Sequence, residues 1–209
     1  MDRRSALKNL TLSIGYVVAT PTLFNMLSSC TAEATTWTPV FFSKQQKQLV
    51  IHLVDIILPS SNISGALDVN VPQFIDKMYK DIESDSNQKR FQNGANIFAE
   101  RFEVMFDKEV LKGSKEDVQK LFATYFDLSE EKTQKVLKEQ LLSESEISSD
   151  EKDNYLIYKF LFSIRYYALF GYYTSEKVGE EILAYDPIPG KLEACITLEE
   201  ATGGKAWSL

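Results

Sequence analysis

Histidine is nearly absent from this chain: His52 is the only one among 209 residues. A di-metal helical bundle needs Glu-x-x-His pairs on facing helices, and Leu49 stands three residues before His52, so that constellation is excluded. Cys30 and Cys195 are the only cysteines, which excludes on count a zinc site of Cys and His ligands. There is no Gly-x-Gly-x-x-Gly, no phosphate loop and no Gly-x-Ser-x-Gly elbow, so the common nucleotide and serine-hydrolase chemistries have no anchor. Positive charge is short: 23 Lys and Arg face 30 Asp and Glu, a net charge of −7. Counterion displacement from phosphate needs the opposite balance, so a nucleic-acid partner is not expected. Sustained period-two alternation is missing too, which leaves strands at most a minor part.

What is present is apolar and aromatic. A hydrophobic content of 44% with 12% aromatics is enough to build a core, and the length suits one domain with or without a leader. The first residues read as an address. Arg3-Arg4-Ser5-Ala6-Leu7-Lys8 matches the twin-arginine export pattern, with Ala6 where a bulkier Phe is commoner. Asn9 to Ser29 carries no charge, yet Gly15, Pro21 and several Thr and Ser make it too polar for a membrane span of ~20 apolar residues. It ends in Leu27-Ser28-Ser29-Cys30, which resembles a lipobox: the leader 1–29 is cut before Cys30, which receives lipid and holds the chain at a membrane. The alternative is an ordinary Cys30 with cleavage elsewhere. Removing Arg3, Arg4, Lys8 and Asp2 takes three from the 23 basic and one from the 30 acidic residues, so the exported body carries about −9. With Cys30 acylated, Cys195 has no partner in its own chain and is expected to be buried or covered by another protein.

Residues 30–42 read as a tether, and the domain spans 43–209. Ser43 caps a first helix with Leu49, Val50, Leu53, Val54 and Ile57 on one face, stopped by Pro59. A loop through Gly65 leads to Asn70, an N-cap before Val71-Pro72, and to an apolar face of Phe74, Ile75, Met78 and Ile82. A third helix spans about Asn87 to Leu111 with Phe91, Ala95, Phe98, Phe102, Met105 and Phe106 in a stripe, and Gly113 suits its C-terminal cap. Ser114 with Asp117 resembles a capping box for a helix bearing Val118, Leu121, Phe122 and Tyr125. Ser129 opens another with Val136, Leu137, Leu141 and Leu142. Ser143 to Asp153 is a polar linker, and a long helix runs from Asn154 to about Tyr172. The fold class is all-α, an irregular helical bundle with a long C-terminal loop rich in Pro, Gly and aromatics.

No catalytic cluster emerges. The aromatic stripes read as core, because helical spacing explains them without a cofactor. His52 and Asp55 suit a structural hydrogen bond, and Arg165 among aromatics suits a buried ion pair or cation–π contact. The tail is the other candidate surface. Pro187 and Pro189 forbid a helix locally, so Tyr185, Pro187, Pro189, Gly190 and Trp207 either pack on the chain's own bundle or face a partner. Twin-arginine export carries folded, often cofactor-loaded proteins. A chain without a cofactor motif fits it by leaving with a cofactor-bearing partner.

Two blocks carry a family resemblance. One runs Ile57-Leu58-Pro59 through Ser64-Gly65-Ala66-Leu67-Asp68-Val69-Asn70-Val71-Pro72-Gln73-Phe74-Ile75-Asp76. The other is Leu169-Phe170-Gly171-Tyr172-Tyr173-Thr174-Ser175-Glu176, followed by Tyr185-Asp186-Pro187-Ile188-Pro189-Gly190, Cys195 and Gly204-Lys205-Ala206-Trp207. Together they resemble the gluconate 2-dehydrogenase subunit 3 family, with Ser64 where members often have Pro and Ala194 where Gly is usual. The resemblance implies a non-catalytic subunit beside a large flavoprotein of the glucose-methanol-choline type. The FAD then belongs to the partner, this chain holds no cofactor, and a cytochrome c often accepts the electrons. A free-standing helical envelope lipoprotein with a binding or structural role is the alternative.

Overall fold

The computed structural model describes residues 37–186, 188, 190 and 195–208, which are helical with no strands among them. Helices are α1 (Lys44–Ile57), α2 (Val71–Asp81), α3 (Asp85–Phe106), α4 (Lys115–Phe126), α5 (Glu130–Glu139), α6 (Lys152–Tyr173) and the short α7 (Leu198–Thr202). A π-helical turn, Val178–Ile182, follows α6.

Helix starts follow local chemistry. Ser43 and Gln46 form a reciprocal capping box on α1, and Ser114 and Asp117 form one on α4, each satisfying amides that the first turn leaves without partners. The Asp117 carboxylate also receives Lys108 Nζ at 2.5 Å. Lys108, then the Ser114 amide, hold this carboxyl down at about 2. Stops are less legible. α3 ends at Phe106, not near Leu111, because Asp107 turns into the left-handed region (φ 51°) while its amide still bonds Glu103. Gly113 is extended and closes a 3-10 turn, Val110–Lys112. The expected linker before α6 holds two more such turns, Glu144–Glu146 and Ser149–Glu151.

The bundle is assembled around α6, which packs most extensively along α3 and also meets α2, α1 and α5, while α4 closes on α1 and α3. Phe98, Phe102, Phe160, Leu49, Leu53, Ile75, Ile157 and Ile164 are fully buried. α5 is different: it buries no residue, and Leu137, Leu141 and Leu142 are exposed, so the apolar row read from its sequence is not core. Ile82 and Met105, expected on buried faces, are exposed as well. No helix among the described residues is long and apolar enough to cross a membrane.

The closest helix approach is at Gly94 of α3, where an added Cβ would lie 2.3 Å from the Leu156 carbonyl oxygen and 2.8 Å from Phe160 Cβ. Gly94→Ala is therefore expected to destabilise by about 2 to 3 kcal/mol through overpacking, although alanine gains roughly 1 kcal/mol of helix propensity. Urea unfolding should show it, with exposed Asn93→Ala as the neutral comparison; a stabilised Gly94→Ala would refute the close approach.

Candidate partner interface

The two sequence blocks that carry the resemblance lie against one another. After α1, the loop folds back so that the Ala66 amide bonds the Leu58 carbonyl at 2.9 Å. Asp68 Oδ2 accepts from Ser60 Oγ (2.6 Å) and the Gly65 amide (2.7 Å). Those bonds, Ser60's first, hold its carboxyl below the usual range. From α6, the Tyr172 hydroxyl donates to the Ser64 carbonyl at 2.7 Å across 108 residues. Beside it Gly171 admits the Phe74 ring: a Cβ there would sit 2.5 Å from Phe74 Cδ1.

At the other side of α2, Asp76 is 2% exposed. Its Oδ2 accepts the Val40 amide at 2.7 Å, and its Oδ1 accepts those of Phe41 (3.0 Å) and Phe42 (2.9 Å). A carboxylate so supplied with donors can be buried without a cationic partner. Phe41 then stacks on Tyr79 and Phe42 on Phe91. Reasoning from sequence missed Asp76, which shares a buried helix face with Pro72 and Tyr79; that placement was the available signal.

The junction of the two blocks leads to a surface. Tyr166, Phe170 and Tyr173 are 62%, 42% and 42% exposed, spaced four and three residues apart on one face of α6. Tyr166 stacks on Phe170 at 6.2 Å, and Phe170 meets Phe74 at 5.8 Å. The reading of the aromatic stripes as core holds for Phe160 and Tyr167 and fails for these three. Tyr167 turns inward, donating to Glu83 Oε1 at 2.5 Å; burial and then this carboxylate push its phenol well above the ordinary range. An aromatic row of this kind, with apolar rings and phenol tips, is the composition of an interface anchor.

Among the expected tail residues, Pro187 and Pro189 lie outside the described residues, as do Arg3, Arg4 and Cys30. Tyr185 and Trp207 are 53% and 54% exposed, and Gly190 is exposed too. The backbone of the tail nevertheless docks on its own chain: the Ala184 amide bonds the Ala206 carbonyl and the Ser208 amide bonds the Ala184 carbonyl, both at 2.9 Å. Thus the chain end packs intramolecularly while its two large aromatics face outward. Cys195 is exposed, which overturns the buried thiol; its φ of 63° sits in a turn. Asp55 pairs with Lys115 at 2.6 Å rather than with His52, whose Nε2 lies 2.7 Å from Gln48 Nε2. Arg165 is exposed, not buried in an ion pair.

Among the described residues no group of three or more His, Cys, Asp or Glu is placed to hold a metal ion. The chemistry of the surface is that of contact. A family model described as gluconate 2-dehydrogenase subunit 3 matches residues 44–190. No curated protein and no solved structure matches the chain.

Proposed function

The chain belongs to the gluconate 2-dehydrogenase subunit 3 family, and on that premise we propose that it is the non-catalytic small subunit and export escort of an FAD-dependent dehydrogenase of the glucose-methanol-choline type. The partner oxidises a sugar or sugar acid, holds the FAD and passes electrons to a cytochrome c. This chain holds no cofactor; it supplies the address, with Arg3 and Arg4 presented to the twin-arginine machinery and Cys30 carrying the lipid that keeps the complex at the periplasmic face of a membrane.

The observation that carries this reading is the exposed aromatic row Tyr166, Phe170 and Tyr173, which starts where the two family-bearing blocks meet. Three large rings left in water on one helix face are what a subunit interface uses and what an isolated domain has little reason to keep. Purification of the lipidated protein from its native membrane under mild detergent tests it. A flavoprotein with the flavin spectrum should accompany it, and Arg3→Lys/Arg4→Lys should leave both proteins in the cytoplasm. A colourless protein recovered alone would overturn the stable-subunit reading and leave the free-standing lipoprotein.

A further inference from the structure

A cavity of about 150 Å³ opens between α2, α3 and α6, lined by Tyr79, Glu83, Asn87, Arg90, Phe91, Lys159 and Ser163. Two of its walls are cations, and among the described residues neither Arg90 nor Lys159 forms an ion pair. That is unexpected in a chain with seven more acidic than basic side chains. The one carboxylate in the lining is already engaged: Glu83 takes the Tyr167 hydroxyl on Oε1 and Asn87 Nδ2 on Oε2, at 2.5 and 2.6 Å. Arg90 donates one bond, Nη1 to Asn87 Oδ1 at 3.2 Å, while its Nε is buried with no hydrogen-bond partner. Lys159 gives one N–H to the Gln140 carbonyl at 2.7 Å and lies 5.1 Å from the Tyr155 ring centre. Burial and then the neighbouring Arg90 hold its ammonium below the ordinary lysine range, the direction set by uncompensated positive charge.

We propose that this cavity binds a small monocarboxylate, with Arg90 and Lys159 holding the carboxylate and the Tyr79 and Phe91 rings flanking its short body. Buried donors in native proteins are nearly always satisfied, so an orphaned guanidinium N–H beside open space marks a missing acceptor. A guanidinium presents a planar pair of donors that matches a carboxylate. Two cations against one carboxylate leave a single positive charge, which suits a monoanion and disfavours a dianion such as phosphate. A cavity of 150 Å³ has room for a body about the size of benzene, and the open mouth lets a longer chain project. Lys159 and Ser163 continue the Tyr166, Phe170, Tyr173 row towards the N-terminus of α6, so the mouth lies on the same helix face as the aromatic row.

The test uses the full chain alone, so its result does not depend on the partner. At constant ionic strength the protein is titrated with sodium lactate, sodium gluconate, sodium phosphate and sodium chloride, and binding is read by calorimetry and by the shift in thermal midpoint. A saturable response to lactate or gluconate is expected, weakened at least tenfold by Arg90→Gln and by Lys159→Met, and unchanged by Lys80→Met at an exposed lysine on α2. Lysine 159 provides the second variant should Arg90→Gln fail to fold. Equal responses to chloride or phosphate, no saturable response to either acid, or carboxylate binding that survives Lys159→Met, would overturn the site.

Discussion

Asp76→Ala is expected to lower the unfolding free energy by about 4 kcal/mol, the largest single-residue effect we foresee on the fold. Hydrogen bonds to a charged acceptor contribute roughly 1.5 to 3 kcal/mol each, and this carboxylate receives three amides. The full sum is not reached, because the Val40 and Phe41 amides are only partly buried and water can replace the carboxylate there. The Phe42 amide is buried and would be left with an empty acceptor position. Loss of the anchor also releases Phe41 and Phe42 from their stacks on Tyr79 and Phe91, so polar and apolar losses fall on the same residues. In a chain of this length each kcal/mol moves the midpoint by about 2 to 4 °C, giving a fall on the order of 10 °C. Asp76→Asn should cost about half as much, since one amide oxygen can still accept while the NH2 group meets a donor. Thermal unfolding followed by circular dichroism checks both, with exposed Asp81→Ala as the comparison. A drop of less than about 1 kcal/mol for Asp76→Ala would mean that residues 40–42 are not held by this carboxylate.

That anchor shows where sequence reading succeeds and where it fails. Ser43 and Ser114 announce their helices because a hydroxyl three residues ahead of a complementary side chain is a local device, complete within four positions. The start of α6 and the buried run Tyr155 to Ile164 are legible for a similar reason: the pattern lies within one helix. Asp76 carries no such signal, since its partners are 34 to 36 residues earlier, and nothing in Phe74-Ile75-Asp76 says that three amides will arrive. Periodicity also reveals that a helix has an apolar face without revealing whether anything covers it. Leu49, Leu53 and Val54 on α1 meet neighbours and are fully buried. Leu137 and Leu141 on α5, and Tyr166 and Phe170 on α6, show equally good spacing and stay exposed. The family blocks were readable as blocks, but their meeting through Tyr172 and Gly171 belongs to the fold. The tail combined both alternatives: pairing of Ala184 with Trp207 fixes its backbone on its own chain, while the Trp207 ring remains outside.

The exposed aromatic row gives the largest expected effect on assembly. Tyr166→Ser with Phe170→Ser should weaken association with the flavoprotein by about 100- to 1,000-fold, on the basis that buried aromatic anchors commonly contribute 2 kcal/mol or more each and that paired anchors are not additive. Stability should change far less, because Tyr166 is 62% exposed and only Phe170 gives up internal contacts, to Phe74 and Tyr166. Exposed apolar area alone does not explain such a result if Leu141→Ser, at a residue 87% exposed on the segment after α5, leaves the complex intact. Tyr185→Ala with Trp207→Ala forms the competing pair. Co-purification of flavin with each variant ranks the two surfaces, and circular dichroism confirms that each variant is folded. If the tail pair strips the flavoprotein away while the Tyr166 and Phe170 pair does not, the interface belongs to the tail and the aromatic row on α6 is not the anchor. If the α6 pair alone releases it, the docking helix is also the helix that α3, α2 and α1 pack against, so partner binding and core packing act on one rigid element. Binding energy spent on α6 would then stabilise the whole bundle by mass action, and the bound small subunit should unfold at a higher temperature than the free one.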